Sequence, residues 1–559
     1  MPITSLLIMI GLAMDQNVHS QPKPASNWDM FMTQFIESYF IHHPDFAVYQ
    51  GRHEFDGKFP DWTPEGLKKQ VSWLKEQKKA AQAFKALNNQ QNFERDYLVS
   101  VVDKDLFWLE TVELPYRNPT FYNLDPNVYV ARPYAPLETR MKAFVAYAKG
   151  IPAATEQIRK NIRTPLPKTF VDIGRISFGG LASYYQNDVP GVFKDVKNDA
   201  LQAEFKTANE AAIKEMKSLD SWFEQQKSSA TDDFALGAKM FSEMLYATER
   251  VDVSLEELEK IGKKDLERNL AALKEACAAY APGKSIEECI RLVNLKKPAG
   301  GPVEGARRQL SGLREFLVKE SLVSIPGPEE ALVEESPPHQ RWNSAYIDIP
   351  GPYENNLPSV YYIAPPDTSW TKQQQDEYIP GEPDLLFTSV HEVWPGHFLQ
   401  FLHSNRSPSK FGQVFVGYAF AEGWAHYAEE MMWEAGLGNG DPETHIGQLS
   451  NALLRNVRFL SAIGLHTGKM TVEQSEKMFR EQAYQDAGNA KQQAARGTFD
   501  PAYLNYTMGK LMIMKLREDW TKSRGGRKAW KEFHDKFLSF GGPPIPLVRK
   551  AMAGSGELF

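Results

Sequence analysis

A proline and a glycine stand between two histidines in the stretch HEVWPGHFLQ, residues 391–400. Pro395 removes a backbone donor and clashes with the preceding turn, and Gly396 tolerates the dihedrals that follow. No regular helix can therefore run through this stretch. The spacing also matters chemically. Zinc peptidases carry H-E-x-x-H, in which two histidines one helical turn apart bind one metal and the adjacent glutamate serves as general base on a water. Here His391 and His397 are six residues apart, which on an ideal helix turns them about 120° away from each other. A bulge or tight turn at Pro395-Gly396 can return His397 to the face of His391. The expectation is a broken helix with both ligating nitrogens within about 4 Å, the span of tetrahedral coordination. Glu392 is then the candidate base.

A second stripe follows. In AEGWAHYAEEMMW, Glu422, His426, Glu429 and Trp433 fall at i, i+4, i+7 and i+11, one face of a helix. Their neighbours Phe420, Trp424 and Met431 are apolar, so polar residues on this helix need partners. Glu422 follows His397 by 25 positions, room for a helix, a loop and a returning helix. A third ligand from a second helix, often glutamate, completes such sites and leaves one position open. His426 and Glu429 are candidates for orienting a ligand histidine through its other ring nitrogen. His426 is also the replacement ligand should His397 face away. Six of the twelve histidines lie between His391 and His466.

The surrounding chain reads as mainly helical. TPEGLKKQVSWLKEQKKAAQAF opens with a threonine cap and a proline in the first turn, and DVSLEELEKIGKKDLERNLAALKEACAAY keeps apolar residues at three-to-four spacing. SIPGPEEALVEESPPHQRW reads as a break. AYIDIPGPYENN and SVYYIAPP read as short strands, giving a small sheet just before the histidine motif. SVYYI is also a candidate edge strand for aligning an extended substrate, or else a structural hairpin. Residues 1–20 suggest a signal peptide with the apolar stretch ITSLLIMIGLAM, although its first residues carry no lysine or arginine. That implies a periplasmic or secreted protein. Residues 21–340 then form an N-terminal helical region and residues 341–559 the metal-binding catalytic region. A net charge of −7 with mixed signs argues against a nucleic-acid partner, and no apolar run is long enough for a transmembrane segment. Cys277 and Cys289 form one short-loop disulfide or remain two buried thiols.

HEVWPGHFLQ, EGWAHYAEE, GLHTGKMT and YTMGK together resemble the bacterial family known as domain of unknown function 885, with its H-E-x-x-P-G-H-x-x-Q, E-G-W-A-x-Y-x-E and Y-x-x-G-K segments. HPDFAVYQGRHEFDGKFPDWT and FGGPPIPLVRKAM extend the resemblance over nearly the whole chain. The family is similar to gluzincin metallopeptidases, which implies a large helical body with a deep channel. It also implies zinc held by His391, His397 and Glu422, with Tyr506 and His466 as donors to the oxyanion. The substrate class is a peptide or small amide. Arg455 and Arg458 are candidates for holding a substrate carboxylate, or pair with nearby acids. The alternatives are an amidase or esterase with the same zinc chemistry, and a non-catalytic binding protein with a vestigial metal site. Retention of Glu392 favours catalysis, because a purely structural metal site has no need of an acid there.

Overall fold

The computed structural model describes residues 28–559 except 338, 339, 342 and 355. The leader expected over residues 1–20 lies outside the described residues. The protein is mainly α, with one small sheet. Local signals set many helix starts. Thr63 accepts a hydrogen bond from the Gly66 amide and opens the Pro64–Ala83 helix, and Ser254 caps Leu255–Tyr280 through the Glu257 amide. Among the described residues no helix is long and apolar enough to cross a membrane.

The helices gather into three buried clusters. Trp28–His42, Pro64–Ala83 and Asn89–Leu106 share one, which also takes in Phe411 and Phe415. Leu137–Asn161, Lys168–Asn187 and Asp199–Gln226 form a second. The largest draws residues from both sides of position 340, from Phe107 and Leu258 to Trp394, Tyr506 and Val548. Cys277 and Cys289 are joined in a disulfide, linking Leu255–Tyr280 to the Ile286–Asn294 helix.

The sheet has three strands in the order β1 (Ala331–Glu335), β3 (Ser359–Ile363), β2 (Ala345–Asp348). β3 runs parallel to β1 and antiparallel to β2, with Ala331 opposite Ser359 and Ala345 opposite Ile363. Two sequence expectations are corrected here. β1 lies inside the segment read as a break. β3 is central rather than an edge, so its backbone groups are already paired on both sides and cannot align a substrate.

Two features fix the C-terminal helices against one another. At Gly423 a Cβ would lie 2.5 Å from Gly509 Cα, and at Gly509 it would lie 2.2 Å from the Ala419 carbonyl oxygen. The Tyr418–Glu434 and Asn505–Lys522 helices thus cross backbone to backbone, which brings Tyr506 beside the turn carrying Glu422. Below the crossing, Lys510 is fully buried and donates to Asp265 Oδ2 at 2.8 Å and Glu430 Oε2 at 3.0 Å. Arg268 binds the same two acids, and Asn456 donates to Asp265 at 2.8 Å.

Burial alone would raise both acids, but Lys510 and Arg268 outweigh it, holding Asp265 well below its usual range and Glu430 at about 2. These depressed values imply stability that is complete above pH ~4.5 and is lost as pH falls toward 2. Urea midpoints should therefore fall steeply through that window. Lys510→Met should lower stability by about 3–5 kcal/mol near neutrality, because two buried acids lose their central cation. A Lys510→Met protein with an unchanged midpoint would remove the network from the account of stability.

Candidate metal centre

The motif helix runs from Glu382 to Glu392, with Pro383 in its first turn. At Val393 the backbone leaves helical geometry (φ −122°, ψ −76°), and a new helix begins at His397. Between them the Gly396 amide donates to the Val390 carbonyl at 2.9 Å, folding the chain back on itself. A Cβ on Gly396 would lie 1.7 Å from the His391 carbonyl oxygen, so only glycine fits this return. Trp424 Nε1 donates to the Pro395 carbonyl at 2.8 Å and ties the turn to the Tyr418–Glu434 helix. In the sequence Trp424 counts only as an apolar neighbour of the stripe. Its buried indole N–H, which must find an acceptor, was the available signal.

This turn brings His391 and His397 together, ring centroids 4.8 Å apart and nearly perpendicular. Glu422 Oε2 lies 3.3 Å from His391 Nε2 and 3.2 Å from His397 Nε2. One ligand atom from each of the three residues lies within 4.8 Å of the other two. That is somewhat looser than the expected spacing of about 4 Å. Two imidazole nitrogens and a carboxylate oxygen are the donor set of an open zinc site. Among the described residues Glu422 Oε2 is buried without a hydrogen-bond partner, although it faces both rings. These residues fit a divalent cation.

The partners behind the ligands are also in place. His391 Nδ1 hydrogen-bonds Glu429 Oε1 at 2.7 Å, which leaves Nε2 free toward Glu422. Glu429 is fully buried, and Arg455 Nη2 lies 3.3 Å from the same oxygen. Burial and Arg455 would lower the His391 pKa, but Glu422 and Glu429 outweigh them and raise it to about 9. The pocket therefore favours positive charge at this point. His426 Nδ1 faces Glu429 Oε2 at 3.3 Å, and burial pushes His426 down to about 4, so its ring is neutral. Glu429→Gln should weaken zinc binding about 10–100-fold, as loss of a ligand-orienting partner does elsewhere. Chelator competition measures this, and an unchanged affinity would deny Glu429 the role.

Glu392 ends the motif helix, mostly buried, and makes no hydrogen bond or ion pair among the described residues. Its carboxyl is raised first by burial and further by Glu422, with both histidines opposing. Tyr506 lies close by. Its ring is 6.2 Å from that of His391 and nearly parallel, and its hydroxyl is raised by burial and then by Glu422, so it stays a donor. Arg496 Nη2 reaches that hydroxyl at 3.5 Å and donates to Tyr418 Oη at 3.0 Å.

Both ring nitrogens of His466 are engaged by the backbone, and its expected oxyanion role is corrected. Its Nδ1 accepts from the Leu236 amide at 3.3 Å and its Nε2 donates to the Gly497 carbonyl at 2.8 Å, leaving no ring nitrogen free. It lines a cavity of about 470 Å³ together with Tyr418, whose ring contacts Tyr506, and Asn505, the chain neighbour of Tyr506.

A helical body with a two-histidine, one-glutamate cluster at a broken motif helix defines a candidate mononuclear metal protein. The chain belongs to the family described as bacterial protein of unknown function (DUF885), whose model matches residues 44–552. Among solved structures it is similar to a candidate lipoprotein of unknown function from Shewanella oneidensis, at 24% identity and a TM-score of 0.77, covering 94% of this chain and 100% of that one. It is also similar to a candidate lipoprotein from Colwellia psychrerythraea, at 16% identity and a TM-score of 0.78, covering 94% and 98%. These likenesses show a shared fold. A weaker likeness, with a TM-score of 0.32 at 10% identity, is to Trypanosoma cruzi metallocarboxypeptidase 1, covering 88% of this chain and 94% of that one. Among curated proteins none matches the chain.

Proposed function

We propose that the protein is a zinc-dependent hydrolase that cleaves short peptides. The observation that carries this reading is the convergence of His391, His397 and Glu422 beside Glu392, which is unpaired among the described residues. When bound, a divalent cation supplies Lewis acidity, polarising a carbonyl and making a water more acidic. The residues of the chain do the rest. Glu392, buried and without a hydrogen-bond partner among the described residues, takes a proton from the attacking water and returns it to the leaving amine. Tyr506 holds its hydroxyl proton toward the carbonyl oxygen as negative charge develops there. Glu429 fixes the orientation of the His391 ring.

The same reading places the protein outside the cytoplasm, in the periplasm or secreted. Its support is the Cys277–Cys289 disulfide, which belongs to an oxidising compartment, and the description of two relatives as candidate lipoproteins. A mixed-peptide digest of the full chain tests the activity. Cleavage should vanish with a zinc chelator and return with added zinc. Failure to cleave any peptide, or cleavage indifferent to chelator, would refute the proposal.

A further inference from the structure

Three guanidinium groups surround the Tyr506 ring, with Arg458 Cζ at 4.8 Å, Arg455 at 5.7 Å and Arg496 at 5.9 Å from its centroid. Two of them are committed. Arg455 binds Glu429 and donates to Asn451 Oδ1 at 2.9 Å and to the Asn451 carbonyl at 3.0 Å. Arg496 pairs with Asp500 at 2.9 Å. Arg458 differs from both. Its Nε donates to Gln493 Oε1 at 2.8 Å, and among the described residues its two terminal nitrogens have no hydrogen-bond acceptor and no carboxylate. Yet the residue is only 7% exposed.

A buried guanidinium without an anion is costly, and chains keep one where an anion arrives from outside. Burial and the neighbouring Arg496 together pull Arg458 down to about 10, which still leaves it charged at neutral pH. Stacking on Tyr506 and the bond to Gln493 hold the plane of the fork, the arrangement that suits bidentate binding of a carboxylate. The Tyr506 ring bounds the distance from this fork to the ligands, since its centroid lies 4.8 Å from Arg458 Cζ and 6.2 Å from the His391 ring. Extended peptide advances about 3.3–3.6 Å per residue. A carboxylate on Arg458 is then at most about three residues beyond a carbonyl held at the ligands.

We infer that Arg458 is a specificity-determining residue that binds the free C-terminal carboxylate of the substrate, so that the preferred substrates are short peptide acids cut close to their C-terminus. The inference rests on the peptidase reading for the word substrate, but the site itself can be tested by binding alone. The zinc-loaded full chain in the Glu392→Gln background, which prevents turnover, is titrated calorimetrically with acetyl-trialanine and with its C-terminal amide. The acid should bind at least about tenfold tighter than the amide, the worth of a charged hydrogen-bonded pair. Arg458→Gln should remove that preference by weakening the acid alone, with zinc content unchanged. Arg458→Lys, which keeps the charge but loses the fork, should retain part of it. The Lys variant and the acid-against-amide comparison in the parent stand even if the Gln variant folds poorly.

Equal affinity for acid and amide, or no binding of the acid at millimolar concentration, overturns the inference. An acid preference that survives Arg458→Gln also overturns it, because the carboxylate then sits elsewhere. If no peptide is hydrolysed but the Arg458-dependent preference holds, the peptidase reading falls and the carboxylate site stands. Hydrolysis that is indifferent both to amidation and to Arg458 gives the reverse.

Discussion

Glu392→Gln is expected to remove hydrolysis, by a factor of about 10²–10⁴ in turnover, while zinc stays bound at parental stoichiometry. The amide keeps the size and shape of the side chain but cannot accept a proton. Glu392 is the last residue of the motif helix, next to His391, and has no partner that would compete for its lone pairs among the described residues. Burial raises its carboxyl above the usual range, the direction that strengthens a base. Turnover on a cleaved peptide, measured alongside metal content, separates a lost base from a lost metal. Near-parental turnover would assign the base elsewhere.

Gly396→Val is expected to weaken zinc binding at least about tenfold, and to do so more than it lowers the urea midpoint. The added Cβ would meet the His391 carbonyl oxygen at 1.7 Å and the Val390 carbonyl oxygen at 2.5 Å. Both are backbone atoms, so the turn must open and His397 must move. Ligand distances in such sites tolerate only about 0.2 Å. The helices on either side are anchored in the core through Leu385, Val390, Phe398 and Leu402, which limits the damage to the turn itself. Parental zinc affinity in this variant would show that the Pro395-Gly396 return does not set the site.

What could be read from the sequence is what local chemistry decides. Pro395 and Gly396 sit next to the residues they displace, so the break and its direction were legible. Glu422, His426 and Glu429 share a helix face by spacing alone, and Thr63 and Ser254 cap helices within their own first turns. What escaped depends on partners far along the chain. β1 holds one buried residue, Val333, between prolines and acids, and its identity as a strand comes from pairing with β3. Nothing local reveals that both nitrogens of His466 are taken by Leu236 and Gly497. Arg455 and Arg458 look alike in the sequence, and Glu429, from another helix, pairs with the first and not with the second. Glu429 and Glu430 are adjacent yet serve different faces of one helix, one toward His391 and the other toward Lys510.

The most direct test of the account is the metal content of the purified full chain, measured by elemental analysis without chelator in any buffer, beside a His391→Ala, His397→Ala, Glu422→Ala triple variant. The account predicts about one zinc per parental chain and none in the triple variant. A parental protein free of stoichiometric transition metal, or a triple variant that still holds one zinc, would contradict it.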